Sequence, residues 1–177
     1  MNLLPIETIE QEYVPPYCWS QDDWIKVHSK NGLKLKDVFE ISLKVVYQIR
    51  EHASPTGLVI GPMVTGGYDP VKNLEIFEAA IQIIRLKGVA VFNQLHLLPF
   101  LDFYMDSHQP QYDFDQYPCE VMTELFLPLI RNGKFQRVFV IEGWQSSRET
   151  NMEMELCKEM NLIPELVPLR QIRQYLA

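Results

Sequence analysis

Short apolar runs alternate along this chain with longer stretches in which apolar residues return every three or four positions. Val38, Ile41, Val45, Val46 and Ile49 have helical spacing and predict an amphipathic helix over residues 36–52, which Ser54-Pro55 ends. Leu58-Val59-Ile60 reads as a short buried strand. Asp69-Pro70 then sets a helix start, with Asp as N-cap and Pro in the first helical position. Phe77, Ala80, Ile81 and Ile84 form the apolar stripe of that helix and Gly88 closes it. Further strands are predicted at 89–92, 138–141 and 163–167, with helices at about 119–131 and 147–160. Strands that alternate with helices imply a parallel sheet with right-handed crossovers, so the expected fold is a Rossmann-like or flavodoxin-like three-layer α/β sandwich.

Two regions fall outside this rhythm. Residues 1–34 carry Pro15-Pro16 and the aromatics Tyr13, Tyr17, Trp19 and Trp24 with little periodicity, which suggests an extended arm packed on the domain or on a neighbouring subunit. Residues 1–55 are therefore read as an arm and helix, and 56–177 as the α/β domain. In the second region Leu95, Leu97, Leu98, Phe100, Leu101, Phe103 and Tyr104 precede Asp106, His108, Pro110, Asp113 and Asp115. A connection spanning 94–117 is expected to be a lid, a binding loop or an oligomer contact. With the aromatic arm it favours a homo-oligomer, most simply a dimer.

Composition narrows the partners. A chain of 177 residues, 47% hydrophobic and 22% charged, fits one folded domain. A net charge of -7 without any Lys/Arg run argues against a nucleic-acid polymer. A small phosphorylated ligand remains compatible, because backbone N–H groups at a helix start bind anions whatever the net charge. Cys18, Cys119 and Cys157 are odd in number and lack metal or disulfide spacing, so reduced thiols are expected. The first residues have no basic stretch followed by an apolar run, and no apolar run approaches the roughly twenty residues that span a bilayer. A cytoplasmic protein without a membrane partner is the expectation.

The candidate chemistry lies where two strands hand over to helices. The first loop holds Gly61, Pro62, Met63, Gly66 and Gly67, and Asn73, Phe77, Ala79 and Ala80 follow on the next helix. The second holds Gly143, Trp144 and Ser147, with Glu153 ten residues after Gly143. Together they resemble the two signatures of the nucleoside 2-deoxyribosyltransferase-like family, over roughly residues 57–168. Read from the residues alone, the glycines permit close backbone approach to a ligand, or merely make a tight turn. Ser146, three residues before Glu149, reads as the N-cap of a capping box. A helical Glu153 leans back toward the helix start and so toward the same loop.

The resemblance implies more. Glu153 would be the nucleophile that attacks the anomeric carbon of a 2-deoxyribosyl group, a role that needs a carboxylate able both to form and to leave the glycosyl bond. Gly61, Pro62, Met63, Gly66 and Asn73, with Gly143 and Trp144, would cradle the sugar or base, and Ser147 would contact the 5′ side. The substrate would be a deoxynucleoside or its 5′-monophosphate, with no cofactor. Three departures from the family pattern stand out: Glu149 replaces a small Gly, Glu142 a Pro, and Gln136 an Asp. They leave open a catalytically inactive nucleotide-binding or interaction module. Glu149 and Glu153, one turn apart, should repel and raise at least one pKa if both are buried. His96, Asp102, Asp106, His108, Asp113 and Asp115 follow no ligand spacing, so no metal is expected.

Overall fold

The computed structural model describes residues 19–28, 32–108 and 119–177. Seven helices and four strands lie among them: α1 (Gln21–His28), α2 (Leu35–His52), β1 (Thr56–Ile60), α3 (Pro70–Leu86), β2 (Ala90–Phe92) and α4 (Leu98–His108, entered by a 3-10 turn at Gln94–Leu97). They are followed by α5 (Cys119–Val121, a π turn at Met122–Phe126, then Leu127–Gly133), β3 (Arg137–Ile141), α6 (Arg148–Glu159), β4 (Glu165–Val167) and α7 (Leu169–Leu176).

The strands form one parallel sheet in the order β2-β1-β3-β4. Every residue of β1 is buried, as are the last four of β3, which requires helices on both faces. α3 packs with α7, while α2, α5 and α6 pack together. With right-handed crossovers these become the two outer layers of a three-layer α/β sandwich. Each helix start has its own local cause. Asp69 caps α3 by accepting from the Lys72 amide, and Pro70 opens the helix. At the sheet's N-terminal edge Gln136 Oε1 accepts from the Thr56 amide at 2.9 Å, fixing the start of β1 beside β3.

The two irregular regions are more ordered than their pattern suggests. Within the expected arm, residues 21–28 form a helix because Ser20 and Asp23 cap it reciprocally: the Ser20 hydroxyl donates to the Asp23 carboxylate at 2.6 Å and accepts from its amide at 3.1 Å. Lys44 of α2 then donates to Asp23 at 2.5 Å and holds α1 to the domain. Trp24 stacks on His28 at 3.7 Å between ring centroids and meets Trp19 and His96 edge-on at 5.4 and 5.0 Å. Burial, with Arg85 and His28 nearby, pushes the His96 imidazole down to about 4, so it sits in this cluster as a neutral ring. Of the expected connection at 94–117, residues 98–108 are helical, and Leu97, Phe100 and Leu101 are buried. Trp19, Trp24, Leu97, Phe100 and Leu101 thus spend their apolar surface inside the chain. Tyr13, Tyr17, Pro15-Pro16, Cys18, Pro110, Asp113 and Asp115 lie outside the described residues. No helix among the described residues is long and apolar enough to cross a membrane.

Because Trp24 is 8% exposed and joins α1 to α4, Trp24→Ala should cost about 3 kcal/mol or more of folding stability. Urea unfolding followed by far-UV circular dichroism measures it. A loss under about 1 kcal/mol would show that α1 is an accessory to the core.

Candidate active site

β1 leads to β2 on one side and β3 leads to β4 on the other, so the strand order reverses between β1 and β3. Open α/β sheets bind ligands at the C-terminal mouth of that crevice. The loops after β1 and β3 meet there. Gly61 allows the strand ends to close up, since a Cβ on it would come within 2.8 Å of Ile141 Cδ1. Gly66, at φ +70°, touches the second loop: a Cβ there would lie 2.4 Å from the Ser146 carbonyl. The Gly67 amide donates to Ser146 Oγ at 2.8 Å, and the Ser146 hydroxyl donates to the Gly143 carbonyl at 2.9 Å.

Ser146 is therefore a staple between loops, and the expected capping box does not form. Ser147 is the N-cap of α6, accepting from the Thr150 amide at 3.2 Å, because the 3-10 turn Trp144–Ser146 delays the helix by one residue. Glu149 thereby falls in the second helical position, with its side chain turned inward. Asn73, 2% exposed, is engaged by the first loop. Its amide nitrogen donates to the Gly66 and Tyr68 carbonyls at 2.9 and 3.1 Å, and its oxygen accepts from the Tyr68 amide at 2.9 Å.

Behind the staple lies a small cavity lined by Gly61, Met63, Val64, Gln94, Met122, Phe126, Glu149 and Glu153. Both carboxyls are buried, Glu149 at 9% and Glu153 at 6% exposure. Glu149 accepts from the hydroxyls of Thr65 and Ser147, the latter at 3.2 Å, and Thr150 Oγ1 donates to Ser147 Oγ at 3.1 Å. Among the described residues no hydrogen bond holds the Glu153 carboxyl. Burial, with the Glu149 charge beside it, pushes Glu153 up to about 8. Burial and then Glu153 push the Cys157 thiol, one turn further on, up to about 11. Glu153 thus holds a proton at neutral pH in a place walled by apolar side chains, an arrangement suited to proton transfer or to carboxylate attack on an electrophilic carbon.

The cavity is narrow, about 10 Å³, room for one water molecule. A much larger open hollow of about 440 Å³ lies against the outer side of the same loop, lined by Val64, Thr65, Gly66, Tyr68, Pro70, Ser146 and Arg148. The residues expected at the site therefore divide. Gly61, Met63 and Glu153 line the inner cavity and Gly66 the outer hollow. Pro62 is buried beside Gly67, and Ser147 is buried in the hydroxyl cluster. Trp144 is half-buried against the core and Gly143 is exposed at φ +87°, and neither lines the cavity or the hollow. Seven lining residues were not singled out from sequence: Val64, Thr65, Tyr68, Gln94, Met122, Phe126 and Arg148. Gln94 is 2% exposed. Its signal was available, since it stands at the C-terminal end of β2, where such sheets draw their site residues.

Two of the three departures from the family pattern have structural duties. Gln136 works at the opposite edge of the sheet, and Glu142 Oε2 accepts from the Leu169 amide at 2.7 Å, capping α7. Only Glu149 stands in the site. No group of three or more His, Cys, Asp or Glu residues among those described is placed to hold a metal ion.

The raised Glu153 pKa has a consequence for stability. The folded state holds its proton more tightly than the unfolded chain, whose carboxyl titrates near 4.5, so the proton's contribution is complete below that pH and is lost as pH rises through about 8. Across this window the wild type should lose up to about 1.4 kcal/mol per pH unit relative to Glu153→Gln, which carries no titrating proton there. Urea unfolding of both proteins over the pH range measures the difference, and a pH-independent difference would contradict the buried protonated state.

No family model matches this chain, and neither the curated proteins nor the solved structures contain a match to it.

Proposed function

We propose that the protein acts on the N-glycosidic bond of a deoxynucleoside or its 5′-monophosphate, with Glu153 as the reacting carboxyl. The observation that carries this reading is the placement of Glu153: buried, beside a second carboxyl, at the switch point of a parallel sheet and under a glycine-rich loop. The resemblance in the two loops supplies the substrate class. Glu153 in its ionised form attacks the anomeric carbon, and the C–N bond breaks with its electron pair leaving on the base, which takes up a proton. Water or a second base then displaces the carboxylate from the sugar. The apolar walls of Met63, Met122 and Phe126 exclude bulk water, and the Gln94 amide offers both a donor and an acceptor to the sugar or base. No step uses a cofactor or a metal.

One observation favours a second reading, that of a nucleotide-binding module without turnover. The inner cavity has room for only one water molecule, with Glu149 lining it where the family pattern has a small Gly.

Incubation with a panel of deoxynucleosides and their 5′-monophosphates, scored by free base released, tests both. Turnover should vanish in Glu153→Gln, by roughly a thousandfold or more. With Glu153 as nucleophile, kcat/KM should rise with pH and level off above about 8, since only about a tenth of the protein is ionised there at pH 7. A fall through that pH would instead make Glu153 the acid for the leaving base. Thermal stabilisation by a nucleotide without base release would establish the second reading.

A further inference from the structure

The inner cavity and the outer hollow share Val64, and a side-chain hydrogen bond joins a residue of one to a residue of the other. Thr65 lines the hollow, Glu149 lines the cavity, and the Thr65 hydroxyl donates to the Glu149 carboxylate. We infer that the hollow is the outer half of the substrate site, and that a ligand reaches Glu153 by parting Thr65 from Glu149. The inference rests on Glu153 being the reacting group, and it adds to that reading a route and a gate.

Three features support it. The space differs: about 10 Å³ around Glu153 admits no sugar ring, whereas the open hollow outside, about 440 Å³, has room for one. The surroundings of the gate are fixed while the gate itself is made of side chains. Gly66 is packed against the Ser146 carbonyl, the Gly67 amide is held by Ser146 Oγ, and Asn73 clamps Gly66 and Tyr68 by their backbones. The loops therefore need not move for Thr65 and Glu149 to separate by rotamer changes. The floor of the hollow also suits the ligand class. Tyr68 is 46% exposed, its backbone is held on both sides by Asn73, and its hydroxyl accepts from Arg173 at 3.0 Å, so an exposed ring is presented in a fixed orientation for a planar heterocycle. On this arrangement the base rests in the hollow and the sugar carbon enters toward Glu153. Displaced from Thr65, Glu149 leaves the Thr65 and Ser147 hydroxyls free to meet polar groups of the sugar.

Access to Glu153 is measurable without knowing the substrate. A water-soluble carbodiimide with glycinamide converts accessible protonated carboxyls to amides, and mass spectrometry of the peptides gives a rate for each site. Exposed Glu155, on the same helix, serves as the internal standard, and buried Asp23, on α1, reports global opening. In the wild type Glu153 should be labelled far more slowly than Glu155. Thr65→Val, which keeps the shape and removes the donor, should accelerate Glu153 labelling roughly tenfold or more, the effect of one lost charge-assisted hydrogen bond on an opening equilibrium. Glu149→Ala should accelerate it at least as much, with Asp23 unchanged in both. Wild-type labelling as fast as that of Glu155, no acceleration in either variant, or acceleration shared by Asp23 would each overturn the gate. Base release is read separately. Faster labelling in a protein that releases no base keeps the gate and removes the glycosidic reading, and base release with unchanged labelling does the reverse.

Discussion

Two carboxyls one helical turn apart, buried together against the mouth of a parallel sheet, impose the constraint from which the rest of the site follows. At an effective dielectric typical of protein sites, like charges a few ångströms apart repel by several kcal/mol, and burial adds a further penalty on each charge. The molecule meets this asymmetrically. Glu149 is given two hydroxyl donors, whereas Glu153 is given none and keeps its proton up to about 8. The hydroxyls of Thr65, Ser147 and Thr150 form a small cluster because Thr65 comes from the first loop and the other two from the start of α6. That cluster exists only because Gly66 lets the loops touch.

The sheet and its layers were legible in the sequence because buried parallel strands and amphipathic helices leave distinct periods. Residues 36–52, 69–88 and 119–131 carried helical stripes or capping signals that the folded chain obeys to within a few residues. What escaped was structure without a period. α4 is apolar on most of its circumference, so Leu98, Phe100, Leu101 and Phe103 look like a loop's hydrophobic anchor as much as a helix. α1 and α7 have eight residues each, about two turns, and both carried readable signals that were passed over: Ser20-x-x-Asp23 as a cap of α1, and Leu169, Ile172 and Leu176 on one face of α7.

At the site, the sequence brought the Gly61 loop and Glu153 to the same cavity through local rules: strand ends, glycine and the backward lean of helical side chains. It misassigned the cap by one residue, since Ser146 and Ser147 are equivalent in composition and differ only in the 3-10 turn before them. Met122 and Phe126 were out of reach for another reason. They come from other crossovers, and no local rule says which residues of a distant helix will roof a given strand end.

Glu149 ties stability and access together. A glycine at its position would leave the cavity less obstructed, but Thr65 and Ser147 would lose the acceptor that binds the two loops to α6, and a helix interior glycine costs up to about 1 kcal/mol more. With Glu149 the site is narrow and internally hydrogen-bonded, and burial together with the Glu149 charge holds the proton on Glu153. Any ligand must therefore replace the interactions of a carboxylate with two hydroxyls before it meets the second carboxyl. A merely apolar molecule cannot do so. A molecule with its own hydroxyl or anionic groups can, and the proposed nucleoside or nucleotide would bring such groups.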